Sequence, residues 1–136
     1  MKRDRLYLAL TIGWVALLIT LTSIPDPDFG HGFRGADKVA HCCFYGVAGL
    51  LCALWRRESG VGAMGAAAFA IAFVVLLGAA DEIHQHWIPG RSMEFLDWVA
   101  DVAGGVAGIL SSMAAVSRFP YLLTHGNPSS PRALLD

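Results

Sequence analysis

Residues 61–80 read VGAMGAAAFAIAFVVLLGAA, an unbroken run without a charge, a histidine or a proline. As a helix rising about 1.5 Å per residue, the run is roughly 30 Å long, the thickness of a bilayer's hydrocarbon core. Its borders are abrupt: Arg56-Arg57-Glu58-Ser59-Gly60 lies just before it and Asp81-Glu82 directly after it. Three further stretches are built the same way, at residues 6–24, 39–55 and 95–116, and their only Asp, Glu, Lys or Arg residues are Asp97 and Asp101 in the last. Together the four occupy more than half of a 136-residue chain that is 55% hydrophobic and 15% charged, against about 25% charged in soluble domains. Too little chain is left to cover four such helices in water. The composition therefore predicts an all-α integral membrane protein with four transmembrane helices, and it excludes a soluble enzyme, a nucleic-acid binder and a disulfide-built secreted module. Residues 1–116 form the transmembrane domain in this reading. Residues 117–136, which include Asn127-Pro128-Ser129-Ser130-Pro131, are expected to be a mobile cytoplasmic tail.

The basic residues are distributed unevenly about these helices. Lys2, Arg3, Arg5, Arg56, Arg57, Arg118 and Arg132 fall on one side, and Arg34, Lys38 and Arg91 on the other. The positive-inside rule then places both termini in the cytoplasm and the chain as a multi-pass protein of the cytoplasmic (inner) membrane. The first helix is read as uncleaved, because it exceeds a usual signal-peptide core and Ser23-Ile24-Pro25 is no A-x-A cleavage site. Pro25-Asp26-Pro27-Asp28 ends it, and an outer loop containing Gly30, Gly32 and Gly35 leads to helix 2 at Asp37. The short turn at 56–60 makes helices 2 and 3 antiparallel neighbours.

Small residues mark the inner parts of the helices: Gly46 and Gly49, then Gly62, Gly65 and the alanines 66–68, then Gly104, Gly105 and Gly108. Helices in lipid are held together largely by close backbone approach at such residues. Gly104-x-x-x-Gly108 therefore predicts packing within the chain, and the same pattern also suits a homodimer contact. Cys42, Cys43 and Cys52 are an odd count on one helix and read as small apolar fillers.

The ionisable residues on the outer side are concentrated. Asp37, His41 and Tyr45 recur every four residues on one face of helix 2; helix 3 closes with Asp81, Glu82 and Gln85; and helix 4 opens with Asp97 and Asp101. Three helices thus aim carboxylates, an imidazole, a phenol and an amide at one depth. An aspartate in a membrane core costs on the order of 2.5–3.5 kcal/mol and is normally turned to a bundle interior or wet cavity. Arg91, His41 and Lys38 are the available positive partners. Individually, Asp37 and Asp97 also read as helix caps, Lys38 as a snorkelling side chain, and Arg91 as a counter-ion to Glu82 or Asp97.

DKVAHCCFY at 37–45, DEIHQHWIPGRSMEFLD at 81–97 and DWVADVAGGVAG at 97–108 resemble the VanZ-like family of small integral membrane proteins. The resemblance covers roughly residues 37–110 and rests on Asp37-Lys38-x-x-His41-x-x-x-Tyr45, Asp81-Glu82-x-x-Gln85, Pro89-Gly90-Arg91, and Asp97-x-x-x-Asp101 followed by glycines. It implies a four-helix membrane protein, and the family's namesake is associated with low-level resistance to the lipoglycopeptide teicoplanin. His84 and His86 flank Gln85 and lie outside the shared pattern.

Several functions suit this cluster. The first is an extracytoplasmic-facing pocket that binds or modifies a cell-envelope lipid or lipid-linked precursor and lowers susceptibility to teicoplanin-like lipoglycopeptides. There Asp37, Lys38, Tyr45, Asp81, Gln85, Arg91 and Asp97 would contact the ligand, with Arg91 offering a bidentate fork to phosphate or carboxylate. A second is a membrane-embedded hydrolase or transferase with His41, Glu82 and Asp101 as catalytic groups in general acid–base work. In a variant of it, His41, Glu82, Asp97 and Asp101 bind a divalent metal ion that activates water, although no HExxH-like spacing marks a metal. A third is a non-catalytic partner subunit of an envelope complex. Transport has no visible path, since the polar residues stop at the outer third.

Overall fold

The computed structural model describes residues 2–25 and 35–124. Four helices account for most of them: α1 (Arg3–Thr22), α2 (Ala36–Glu58), α3 (Ala63–Gln85) and α4 (Phe95–Arg118), followed by a single 3₁₀ turn at Pro120–Leu122. All four are long and apolar enough to cross a membrane. Each exceeds its uncharged core where an end carries polar side chains; α3 continues through Asp81 and Glu82 to Gln85, and α4 passes Val116 to reach Arg118. The outer-loop glycines Gly30 and Gly32, the turn residues Asp26 to Asp28 and the segment Asn127 to Pro131 lie outside the described residues.

The surface supports immersion in an apolar solvent. Met64 is 78% exposed and Leu76 70% exposed, with Ile12, Phe95, Leu96 and Leu110 also facing outward. Asp81, Glu82, Gln85, Asp97 and Asp101 are buried. Apolar out and ionisable in is the distribution that lipid favours.

The tightest seam joins α2 to α4, and glycine makes it. A Cβ on Gly104 would run into the carbonyl of Cys42, one on Gly108 into the carbonyl of Gly46, and one on Gly49 into the carbonyl of Gly105. The backbones therefore touch directly, so Gly104-x-x-x-Gly108 packs within this chain, against α2. Gly105 also receives the side chain of Val74 from α3. At the next level out, Trp98 donates its indole N–H to the Val75 carbonyl at 3.1 Å, tying α4 to α3. Helix α1 is more peripheral and is pinned to α2 by Trp14, which donates to the Phe44 carbonyl at 2.8 Å and stacks on the Phe44 ring.

The start of α1, the end of α2, the start of α3 and the end of α4 meet at what we term the basic end. Tyr7 donates to the Leu122 carbonyl at 3.0 Å, and Arg3 reaches the carbonyl of Tyr121. Glu58 accepts from the Thr124 N–H at 2.7 Å and also from its hydroxyl, while Leu123 is buried. Residues 117–124, expected within a mobile tail, are instead α4's last turn and a docked strap. The carbonyls of Tyr121 and Leu122 find donors on α1, and Thr124 finds an acceptor on α2, pairings that no local pattern reveals.

Candidate functional site

The opposite, polar end is assembled by the spacing of its residues. A four-residue step turns a helix nearly once, so Asp37, His41 and Tyr45 stand in a column on α2, and Asp97 and Asp101 face that column from α4. The glycine seam below brings the two backbones close enough for short side chains to meet. His41 Nδ1 and Asp101 Oδ1 are 2.8 Å apart. The partner of His41 is therefore Asp101, one of the two carboxylates grouped with it as a catalytic set.

Two networks fill this end. The first is centred on Asp81. Thr22 from α1 donates to its Oδ1 at 2.6 Å, while the Tyr45 hydroxyl and the Gln85 amide donate to Oδ2 at 3.3 and 3.2 Å. Gln85 Oε1 in turn accepts from Arg91 Nη1 at 3.0 Å. The second is centred on Lys38, whose ammonium reaches Asp37 at 2.9 Å, Glu94 at 2.9 Å and Asp97 at 2.8 Å. Lys38 is thus an ion-pair centre rather than a snorkelling side chain. Asp37 and Asp97 sit in first turns, where the helix dipole favours a carboxylate, but neither caps its helix; the cap positions belong to Gly35 and Glu94.

Arg91 departs from expectation. It does not neutralise Glu82 or Asp97; it donates to Gln85 and to the carbonyls of Ile24 and Leu21 at 3.1 and 3.4 Å. The cause is the Ile88-Pro89-Gly90-Arg91 turn, closed by Arg91 N to the Ile88 carbonyl at 3.1 Å, with Gly90 at φ 79°. Proline followed by a residue at positive φ is the type II pattern, and glycine adopts that φ without strain. The turn aims the guanidinium at the C-terminal end of α1, where free carbonyls attract a cation.

Four carboxylates here are nearly inaccessible: Asp81 and Asp101 are 0% exposed, Glu82 3% and Asp97 7%. Glu82 Oε2 accepts from the Glu94 backbone N–H at 2.8 Å, but Glu82 Oε1 and Asp101 Oδ2 have no hydrogen-bond partner among the described residues. A ring nitrogen of His41 and carboxylate oxygens of Glu82 and Asp97 lie within 4.8 Å of one another. Two carboxylates at that separation repel by roughly 3–4 kcal/mol at an effective dielectric of about 20.

A cavity of about 270 Å³ opens between α1 and α2 beside these networks. Leu18, Leu21 and Phe44 supply apolar walls, and Thr22, Asp37, His41, Tyr45 and Arg91 supply polar groups. Among the expected site residues, Asp37, His41, Tyr45 and Arg91 line this space, whereas Asp81, Glu82, Gln85, Asp97 and Asp101 are buried residues of the surrounding networks. Thr22 and Glu94 join the site without having been singled out from sequence. Glu94 precedes Asp97 by three residues and Asp101 by seven, a spacing that would have flagged it; Thr22 sits in an apolar helix and carries no such signal. His84 stands apart, sharing a hydrogen bond with Ser23 at 2.9 Å. The three cysteines are unpaired, with Cys52 in the core.

A family model described as VanZ/LLP1 matches residues 6–116. The chain belongs to the VanZ/LLP1 family. The match takes in α2 and α3 whole, all but the first three residues of α1 and the last two of α4, and every residue of the polar end described above. No curated protein and no solved structure matches the chain.

Proposed function

We propose that this VanZ/LLP1 family member binds the headgroup of an envelope lipid or lipid-linked precursor in the α1–α2 cavity, with the polar end facing the extracytoplasmic side of the cytoplasmic membrane and both termini inside. The observation that carries the reading is the cavity's mixed lining: leucines and a phenylalanine on one side, Arg91, Tyr45, His41 and Asp37 on the other. Small-molecule sites combine apolar walls with a few convergent polar groups, usually in about 300–1,000 Å³. At about 270 Å³, this one suits a headgroup whose acyl or prenyl chain lies along the lipid-exposed helices. Arg91 would pair with phosphate, and Asp37 and Tyr45 would hydrogen-bond hydroxyl or amine groups. Occupation of the precursor is the route by which the protein would lower susceptibility to teicoplanin-like lipoglycopeptides.

The test is saturable capture of envelope lipids by the purified chain, read by mass spectrometry, together with lipoglycopeptide susceptibility in cells. Arg91→Ala should reduce capture at least about tenfold and remove any protection, with membrane accumulation unchanged. Equal capture by Arg91→Ala and the unaltered chain refutes the headgroup site.

A second reading is favoured by the His41–Asp101 contact at 2.8 Å. A carboxylate-oriented imidazole lining a cavity suits general-base work in a transferase or hydrolase. Turnover of an added lipid precursor, lost in His41→Ala, would distinguish catalysis from binding alone.

A further inference from the structure

The buried carboxylates of the polar end are unequally provided for. Asp81 has three neutral donors, Asp97 has Lys38 and Asp101 has His41. Glu82 has only one backbone N–H, and its Oε1 is unpartnered among the described residues although the side chain is almost wholly buried. The neighbouring triad of Asp37, Glu94 and Asp97 shows how this end answers the same repulsion: the Lys38 ammonium stands among them at 2.8–2.9 Å. In the cluster of His41, Glu82 and Asp97 that ammonium reaches Asp97 alone, so among the described residues the cluster lacks a cation at Glu82.

Its geometry suits one. The three donor atoms lie within 4.8 Å of one another, and ligands about 2.0–2.2 Å from a zinc-sized ion stand about 3–4 Å apart, so modest side-chain rotation closes the set. His41 has a carboxylate partner of the kind that supports a metal-bound imidazole. An ionised Asp101 accepts from Nδ1 at 2.8 Å, which leaves the Nε2 lone pair free, the carboxylate–histidine arrangement that supports metal ligands.

We propose that His41, Glu82 and Asp97 hold a divalent transition-metal ion, with Asp101 as a positioning residue for the imidazole. One nitrogen and two oxygens favour zinc or manganese over magnesium or calcium, which take oxygen ligands. Three protein ligands leave at least one position open. Because His41 also lines the α1–α2 cavity, that position suits a phosphate oxygen of the proposed headgroup; this last clause rests on the headgroup reading, and the ion site itself does not.

The full chain, purified in detergent without added lipid, is stripped with a chelator and titrated separately with Zn²⁺ and Mn²⁺, with elemental analysis after desalting. We expect a single ion per chain, an affinity reduced at least about tenfold in Glu82→Gln and in His41→Ala, and a loss of about 10–100-fold in Asp101→Asn. Glu58→Gln, at the opposite end of the bundle beside Thr124, should bind as the unaltered chain does. No stoichiometric ion in the unaltered chain overturns the proposal, whether or not any variant folds, and so does undiminished binding in both Glu82→Gln and His41→Ala. Ion binding without lipid capture would remove the headgroup reading and keep the ion; lipid capture without ion binding would do the reverse.

Discussion

Glu58 at the basic end and Glu82 at the polar end are buried equally, at 3% exposure each, yet their surroundings differ in kind. Both oxygens of Glu58 are satisfied by one residue, through the backbone N–H and hydroxyl of Thr124. Glu82 holds one backbone N–H on Oε2, its Oε1 has no partner among the described residues, and a carboxylate oxygen of the residue lies close to His41 and Asp97. The first arrangement closes a fold. The second leaves capacity for a ligand, because an unsatisfied buried carboxylate is costly unless something else completes it. The same side chain at the same depth of burial therefore serves structure at one end and points to function at the other.

The largest expected effect breaks the seam on which both ends depend. Gly108→Leu would drive a side chain into the carbonyl of Gly46, and since backbone cannot yield as a side chain can, the four-helix arrangement should be lost, with no folded protein recovered after detergent extraction. Next comes Lys38→Met, which leaves Asp37, Glu94 and Asp97 without their common cation. Removing one partner of a fully buried ion pair costs about 3–5 kcal/mol; with Lys38 partly exposed, a loss of about 2 kcal/mol is expected, read from the unfolding midpoint in detergent. The smallest change sharpens the comparison most. Glu58→Ala should destabilise by about 1–2 kcal/mol by freeing the strap at Thr124, while leaving lipid capture and ion binding unchanged. Were Glu58→Ala to impair ligand binding as strongly as Glu82→Gln, the division between the two ends would be wrong.

Much of the polar end is legible in residue spacing. Asp37, His41 and Tyr45, or Asp97 and Asp101, share a helix face because 3.6 residues make a turn, and the small inner residues announce close packing. The pairing of His41 with Asp101 instead of Glu82 is not legible, since it depends on the register that the glycine seam imposes between α2 and α4. Nor is the role of Thr22. A threonine in an apolar helix has no distinguishing neighbourhood until Asp81 is brought opposite it from α3. The partners of Arg91 are hidden for a related reason: its charge suggests a carboxylate, whereas the Pro89-Gly90 turn directs it to backbone carbonyls and Gln85.

Hydropathy and periodicity alone settle that the chain has four membrane-length helices with a cluster of acidic groups at one end and most of its basic groups at the other, because lipid penalises each misplaced charge residue by residue. Which carboxylate is paired, which is left open and which side chains line a cavity are decided only in three dimensions. Those outcomes depend on ångström-scale distances between helices that are remote in sequence, and in this protein contacts between glycine backbones help set those distances.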